Sequence, residues 1–227
     1  MAVAAVRRSS SPAIPAAWRL LTRLGEAQIL LPAAALTLLA MLARANTRHL
    51  AFVWLSLIIL ATIVTTASKL AFIGWGIGWA DINFTGISGH AMFAAAIYPV
   101  LTAAFFFGRW PSAQQLPLAL GWALALLVGL SRIEVGAHSW SEVLAGWAIG
   151  GAVSGAALAL CETSAIAVRP IVPALLLAWV AVMPFKLHAS PTHFFVTRLA
   201  VAMSGNETPF TRSDLLRPAC RQRALAC

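Results

Sequence analysis

Two short clusters and one lysine hold the residues able to do chemistry. The first cluster reads Thr85-Gly86-Ile87-Ser88-Gly89-His90, a hydroxyl and an imidazole set among glycines directly ahead of a long apolar run. A helix starting there offers free backbone N–H groups and the positive end of its dipole, and both favour an anion such as phosphate. The same residues also suit a plainer purpose, with Ser88 as an N-cap and His90 as an interfacial side chain. The second cluster reads Ser131-Arg132-Ile133-Glu134-Val135-Gly136-Ala137-His138-Ser139-Trp140-Ser141-Glu142. His138 and Glu142 are four apart, so on one helical face the carboxylate can orient the imidazole. Ser139-x-x-Glu142 is equally a capping box in which Glu142 satisfies a backbone donor, and the two roles can alternate or coexist. Lys69 stands near the end of an earlier apolar run.

The elements that must position these residues are membrane helices. The 227-residue chain is 60% hydrophobic and 10% charged, with a mean hydropathy of +0.84. Soluble domains carry roughly 25% charged residues, so a soluble globule is not expected. Six apolar segments of bilayer length follow one another at about 27–43, 50–73, 90–107, 114–130, 140–161 and 168–185, which predicts an all-α, polytopic membrane bundle of about six helices. Trp75, Trp79, Trp110 and Trp140 fall near segment ends, where amphipathic rings favour the headgroup region. In the fifth segment, Gly146 and Gly150, and again Gly151 and Gly155, are spaced to let helix backbones approach closely.

The domain organisation is correspondingly simple: an N-terminal tail over 1–26, a transmembrane domain over 27–188, and a basic C-terminal tail over 189–227. In the first tail, Trp18, Leu20, Leu21 and Leu24 fall near one helical face and Arg19 and Arg23 on another, which suits an interfacial helix over 16–27 and equally a solvated tail that happens to alternate. The second holds Arg198, Arg212, Arg217, Arg221 and Arg223 and is too polar to span. The 16 Lys+Arg against 7 Asp+Glu give a net charge of +9. With most of that charge in tails and short loops, membrane topology and anionic headgroups explain it better than a nucleic-acid partner. Cys161, Cys220 and Cys227 show no CxxC spacing and form no even framework, so neither a zinc site nor a disulfide scaffold is expected.

Parity brings the reactive residues together. Lys69 closes the second segment, Ser88 and His90 open the third, Arg132 follows the fourth, and His138 and Glu142 open the fifth, so all reach one membrane face. In order and spacing they resemble the type 2 phosphatidic acid phosphatase superfamily of integral membrane lipid phosphatases, over about residues 65–155. That family's signatures are Lys followed seven residues later by Arg-Pro, then Pro-Ser-Gly-His, then Ser-Arg, five residues, His, three residues and Asp. This chain keeps Lys69, Ser88-Gly89-His90, Ser131-Arg132 and His138. It has Gly76-Ile77 in place of Arg-Pro, Ile87 in place of Pro, and Glu142 in place of Asp.

The resemblance implies His138 as the nucleophile that attacks phosphorus, Glu142 as its activating carboxylate, and His90 as the acid that protonates the leaving alkoxide. Lys69, Arg132, the Ser88 hydroxyl and the Gly89 backbone N–H would hold the phosphate oxygens. No metal or other cofactor is needed, and the partners are a phosphorylated lipid and the bilayer of a bacterial-type inner membrane; nothing in the sequence specifies an oligomeric state. The family implies a periplasmic site, whereas the arginines in both tails place the site face in the cytoplasm by the positive-inside rule. Three rival readings share these residues: a non-catalytic binder of phosphorylated lipids, a small transporter that recognises phosphate, and an enzyme that passes the phosphoryl group to another lipid. Asp81, Asn83 and Glu134 read as loop positions, Asp81 being also placed to steer a substrate hydroxyl or to pair with Lys69. His49, His188 and His193 lie away from the clusters.

Overall fold

The apolar runs form helices because long stretches of Leu, Ala, Ile and Val satisfy their own backbone in a medium that offers no other hydrogen-bond partner. A computed structural model describes residues 15–106, 115–160 and 192–217, together with 175, 178, 179, 182 and 183. Its helices are α1 (Ala16–Leu24), α2 (Ala27–Leu42), α3 (Arg48–Trp75), α4 (Gly89–Phe106), α5 (Gln115–Glu134), α6 (Trp140–Ala159) and α7 (Thr192–Ser204). The ends agree closely with the segments read from hydropathy. The sixth segment, 168–185, lies almost wholly outside the described residues, as do Trp110 and His188.

Among the described residues, three helices are long and apolar enough to cross a membrane: α3 with the turn before it, α5 and α6. Of the two readings of residues 16–27 the structure has the helix, α1, and with α2 it makes a pair bent by 40°, which together supply a fourth candidate span. Alone, the 16 residues of α2 rise only about 24 Å, short of a hydrocarbon core of about 30 Å. Trp75, Trp79 and Trp140 are exposed at helix ends.

Helix α4 is the centre of the bundle. Ala91, Met92, Ala94, Ala95, Ala96, Ile97 and Val100 are all fully buried, as expected of a helix that is apolar on every side. Two neighbours reach it through small residues. On α5, a Cβ at Gly121 would lie 2.6 Å from the Pro99 Cα. On α6, a Cβ at Gly146 would lie 2.7 Å from the Ser88 carbonyl oxygen, and one at Gly150 would collide with the Met92 carbonyl. The Gly146/Gly150 pair therefore sets α6 against the first turns of α4, backbone to backbone. Of the second small-residue pair, Gly151 faces the Trp122 ring and Gly155 faces open space.

Beyond the bundle, α7 packs on α3, with Gly74 facing the Ala200 carbonyl and Ser204. The chain then turns back through Gly205 (φ 72°) toward the end of α3.

These contacts predict that Gly150→Val, by wedging α6 off α4, lowers stability by about 1–3 kcal/mol, a fall in Tm of roughly 5 °C for a chain of this size. Gly155→Val, facing open space, should leave Tm within a degree or so of the parent. Thermal unfolding in detergent micelles checks both.

Candidate functional site

The site grows outward from one carboxylate. Glu142 lies in the first turn of α6 and is fully buried, and a charge in such a place persists only when paired and hydrogen-bonded. Its Oε2 accepts from His138 Nδ1 at 2.7 Å and from the Ser139 N–H at 3.1 Å. Its Oε1 accepts from the Thr85 N–H at 2.7 Å and from the Thr85 hydroxyl. Arg212 Nη2 stands 2.8 Å from both oxygens. The Ser139 side chain in turn accepts from the Glu142 N–H, which completes a capping box. Capping and orientation of the imidazole therefore coexist, because one carboxylate oxygen accepts from both partners.

This geometry fixes the His138 tautomer. A carboxylate only accepts, so His138 Nδ1 carries the proton and Nε2 keeps its lone pair for chemistry. Burial pushes the imidazole below its ordinary range, and the hydrogen bond to Glu142 opposes that shift without cancelling it. His138 is consequently neutral at neutral pH, as a nucleophile must be.

Around it stand the residues of the first cluster and the two cations. The main chain ties them down: the Ser88 N–H donates to the Glu142 carbonyl at 3.0 Å, and the Ile87 N–H donates to Ser68 Oγ at 3.0 Å. Gly86 (φ 138°) lies against the Lys69 stem, and a Cβ at Gly89 would lie 3.7 Å from Lys69 Nζ, so the ammonium sits over the start of α4. Arg132 and Lys69 lie close enough to His90 to act on it through their charge. Ser88 Oγ and Arg132 Nε are buried with no hydrogen-bond partner among the described residues. A hydroxyl, a guanidinium N–H, an ammonium and the free N–H groups of a helix start thus converge beside His138 and His90, a donor set suited to the oxygens of a phosphoryl group.

All seven residues singled out in the sequence (Lys69, Ser88, Gly89, His90, Arg132, His138 and Glu142) fall within this one region. Others do not. Asp81, Glu134, His49 and His193 are exposed, and the charges acting on Lys69 are those of Arg132 and Glu142, not of Asp81.

Four further residues belong to the region, and the sequence gives none of them a role there. Thr85 holds Glu142 with both its N–H and its hydroxyl. Asn83, in a left-handed turn, accepts from Arg212 Nη1 through Oδ1 at 3.0 Å. Thr22 on α1 accepts from Arg132 Nη1 at 2.7 Å. Arg212 arrives from 70 residues beyond Glu142. The α1–α2 break lies over the site as well, since a Cβ at Gly25 would meet the His90 side chain at 3.1 Å.

The departure at Gly76-Ile77 has a local cause. Gly76 ends α3 in a left-handed conformation (φ 69°), which an L-residue with a side chain adopts only at a cost, and the Ile77 N–H donates to the Ala71 carbonyl at 3.2 Å, which proline could not do. A side chain at 76 would also press on the Phe210 ring at 3.1 Å.

Comparison with known proteins follows the same residues. The PAP2 superfamily model matches residues 30–166. An uncharacterized 22.5 kDa protein in the cps region of Klebsiella pneumoniae is 34% identical over 215 residues, covering 89% of this chain and 99% of that protein. Phosphatidylglycerophosphatase B of Bacillus subtilis (strain 168) is 35% identical over 73 residues, 31% of this chain and 36% of that protein. No solved structure matches significantly. With the family model matching more than half of its length, and a relative aligned along nearly all of it, this helical membrane chain belongs to the PAP2 superfamily.

Proposed function

We propose that the protein is a lipid phosphate phosphatase that works through a phosphohistidine intermediate. The observation that carries this reading is the His138–Glu142 pair, with Nδ1 held and Nε2 free, set beside buried donors that lack partners at Ser88 and Arg132. Family membership supports phosphatase chemistry in general. The partial likeness to phosphatidylglycerophosphatase B supports phosphatidylglycerol phosphate as one substrate to test, beside phosphatidic acid and a polyprenyl diphosphate.

In the first step the His138 Nε2 lone pair forms a bond to phosphorus as the ester P–O bond breaks. The leaving alkoxide takes a proton from His90, which acquires that proton as the phosphate anion binds beside it. In the second step neutral His90 takes a proton from water, the resulting hydroxide oxygen bonds to phosphorus, and the P–N bond breaks to return the lone pair to Nε2. Lys69, the Arg132 guanidinium, the Ser88 hydroxyl and the Gly89 N–H hold the equatorial oxygens throughout. Phosphoryl transfer asks mainly for such positioning and for positive charge around those oxygens.

Phosphate release from the three lipids in mixed micelles tests the reading. His138→Ala should lose at least ~10³-fold in kcat on every substrate cleaved by the parent, since removing a nucleophile leaves only residual binding effects. Phosphate release that is unchanged in His138→Ala would sink the proposal.

The general-acid role has its own signature. His90→Ala should lose about 10²–10⁴-fold on an alkyl phosphate and much less on a nitrophenyl phosphate, whose leaving group departs without a proton. Equal losses on both esters would remove His90 from that role.

A further prediction concerns pH. Because burial holds His138 below its ordinary value of 6.5, the acid limb of kcat/KM should fall below pH 6.5, and the rate should be insensitive to His138 protonation at neutral pH. An acid limb at or above that value would contradict a neutral His138 nucleophile.

A further inference from the structure

The segment after α7 is built against the site end of α3. Asn206 Nδ2 donates to the Gly74 carbonyl at 2.6 Å, and the Phe210 N–H donates to the Ile73 carbonyl at 2.9 Å. The Phe210 ring lies over Gly76, and Leu215 packs with Phe72 and Ile73. Thr211 and Asp214 bracket the turn that follows, with the Thr211 N–H donating to Asp214 Oδ2 at 2.9 Å. From this segment Arg212 reaches back to the site. Its Nη2 reaches both Glu142 oxygens at 2.8 Å and Thr85 Oγ1 at 3.2 Å, while Nη1 reaches Asn83 Oδ1 at 3.0 Å.

A surface arginine that merely tied down a tail would find a surface carboxylate. Arg217 does so, lying 3.7 Å from exposed Asp214. Arg212 instead meets a carboxylate with no solvent exposure, the same one that holds the His138 imidazole. We infer that Arg212 is a positioning residue for the reaction proposed above, holding Glu142 ionised and aimed at His138 Nδ1, so that the segment 205–217 completes the site.

The electrostatics give this role a readout that a tail anchor would lack. His138 is faced by Lys69 from α3, His90 from α4, Arg132 from α5 and Glu142 from α6, with Arg212 beyond Glu142. Arg212 offsets the charge of Glu142. Without it, the carboxylate is matched less completely, attracts a proton onto His138 more strongly, and the Nε2 lone pair is lost at a higher pH. The inference rests on the phosphatase reading, but the protonation of His138 can be followed without turnover.

The test compares the full-length parent with Arg212→Ala, Arg212→Lys and Arg212→Gln, and with Arg217→Ala as control, in detergent micelles. Two quantities are read against pH: kcat and KM for lipid phosphate release, and the rate at which diethyl pyrocarbonate modifies His138, followed by peptide mass spectrometry. Arg212→Ala should lose about 100-fold in kcat, as expected of a displaced reacting group, with KM changed far less. Both the acid limb and the modification midpoint should rise by roughly one pH unit. Arg212→Gln should keep that rise because the charge is gone, whereas Arg212→Lys should restore the midpoint and recover part of the rate. Arg217→Ala should match the parent.

Midpoints identical to the parent in Arg212→Ala and Arg212→Gln would overturn the inference, as would equal recovery by Gln and Lys. Should Arg212→Ala fail to fold, the contrast between Lys and Gln decides by the same criteria. If the parent releases no phosphate, the phosphatase reading falls, and the modification midpoints still show whether Arg212 acts on His138 through Glu142.

Discussion

A single buried carboxylate organises the functional end of this protein. Glu142 has no contact with solvent, and an isolated charge in that position would cost many kcal/mol. It is tolerated because four residues from three places close around it: His138 and Ser139 from the loop before α6, Thr85 from the loop before α4, and Arg212 from the segment after α7. Each partner is thereby located relative to the others. The requirement to satisfy one anion is thus also what joins separate stretches of chain into a site, and the imidazole is oriented as part of the same satisfaction.

The bundle supplies the complementary constraint. Glu142 fixes His138, but a phosphoryl site also needs the start of α4 at a set distance, and Gly146 and Gly150 provide it by bringing the α6 backbone onto the first turns of α4. The Ser88 N–H bonded to the Glu142 carbonyl adds a direct tether between the two helix starts. Close backbone packing and a main-chain hydrogen bond tolerate less displacement than side-chain contacts do. Placing His90, Ser88 and His138 on such rigid supports is what precise transfer chemistry asks of a scaffold.

Much of this was legible in the sequence, because the features concerned are local. Apolar runs against a medium without hydrogen-bond partners fix helix ends to within a few residues, and the alternation of direction between helices brings Lys69, Ser88, His90, Arg132 and His138 to one face. The two readings of Glu142, cap or orienter, could not be separated by spacing, since both place the same residue in the same turn; the structure makes both true through one oxygen, Oε2. Arg212 was illegible for a different reason. Its partner lies 70 residues earlier, its neighbours are as basic as it is, and only the docking of Phe210 on Gly76 singles it out. Thr85 and Thr22 were missed likewise, their roles depending on what the fold brings opposite them.

The tautomer of His138 is the point at which structure becomes chemistry. With Nδ1 committed to Glu142, only Nε2 is available to phosphorus. The most direct test is to quench the protein rapidly during turnover of a lipid carrying radiolabelled phosphate and to map the labelled peptide. The account predicts an acid-labile, alkali-stable phosphoryl group on Nε2 of His138; label on Nδ1, label on another residue, or turnover without any covalent phosphate would contradict it.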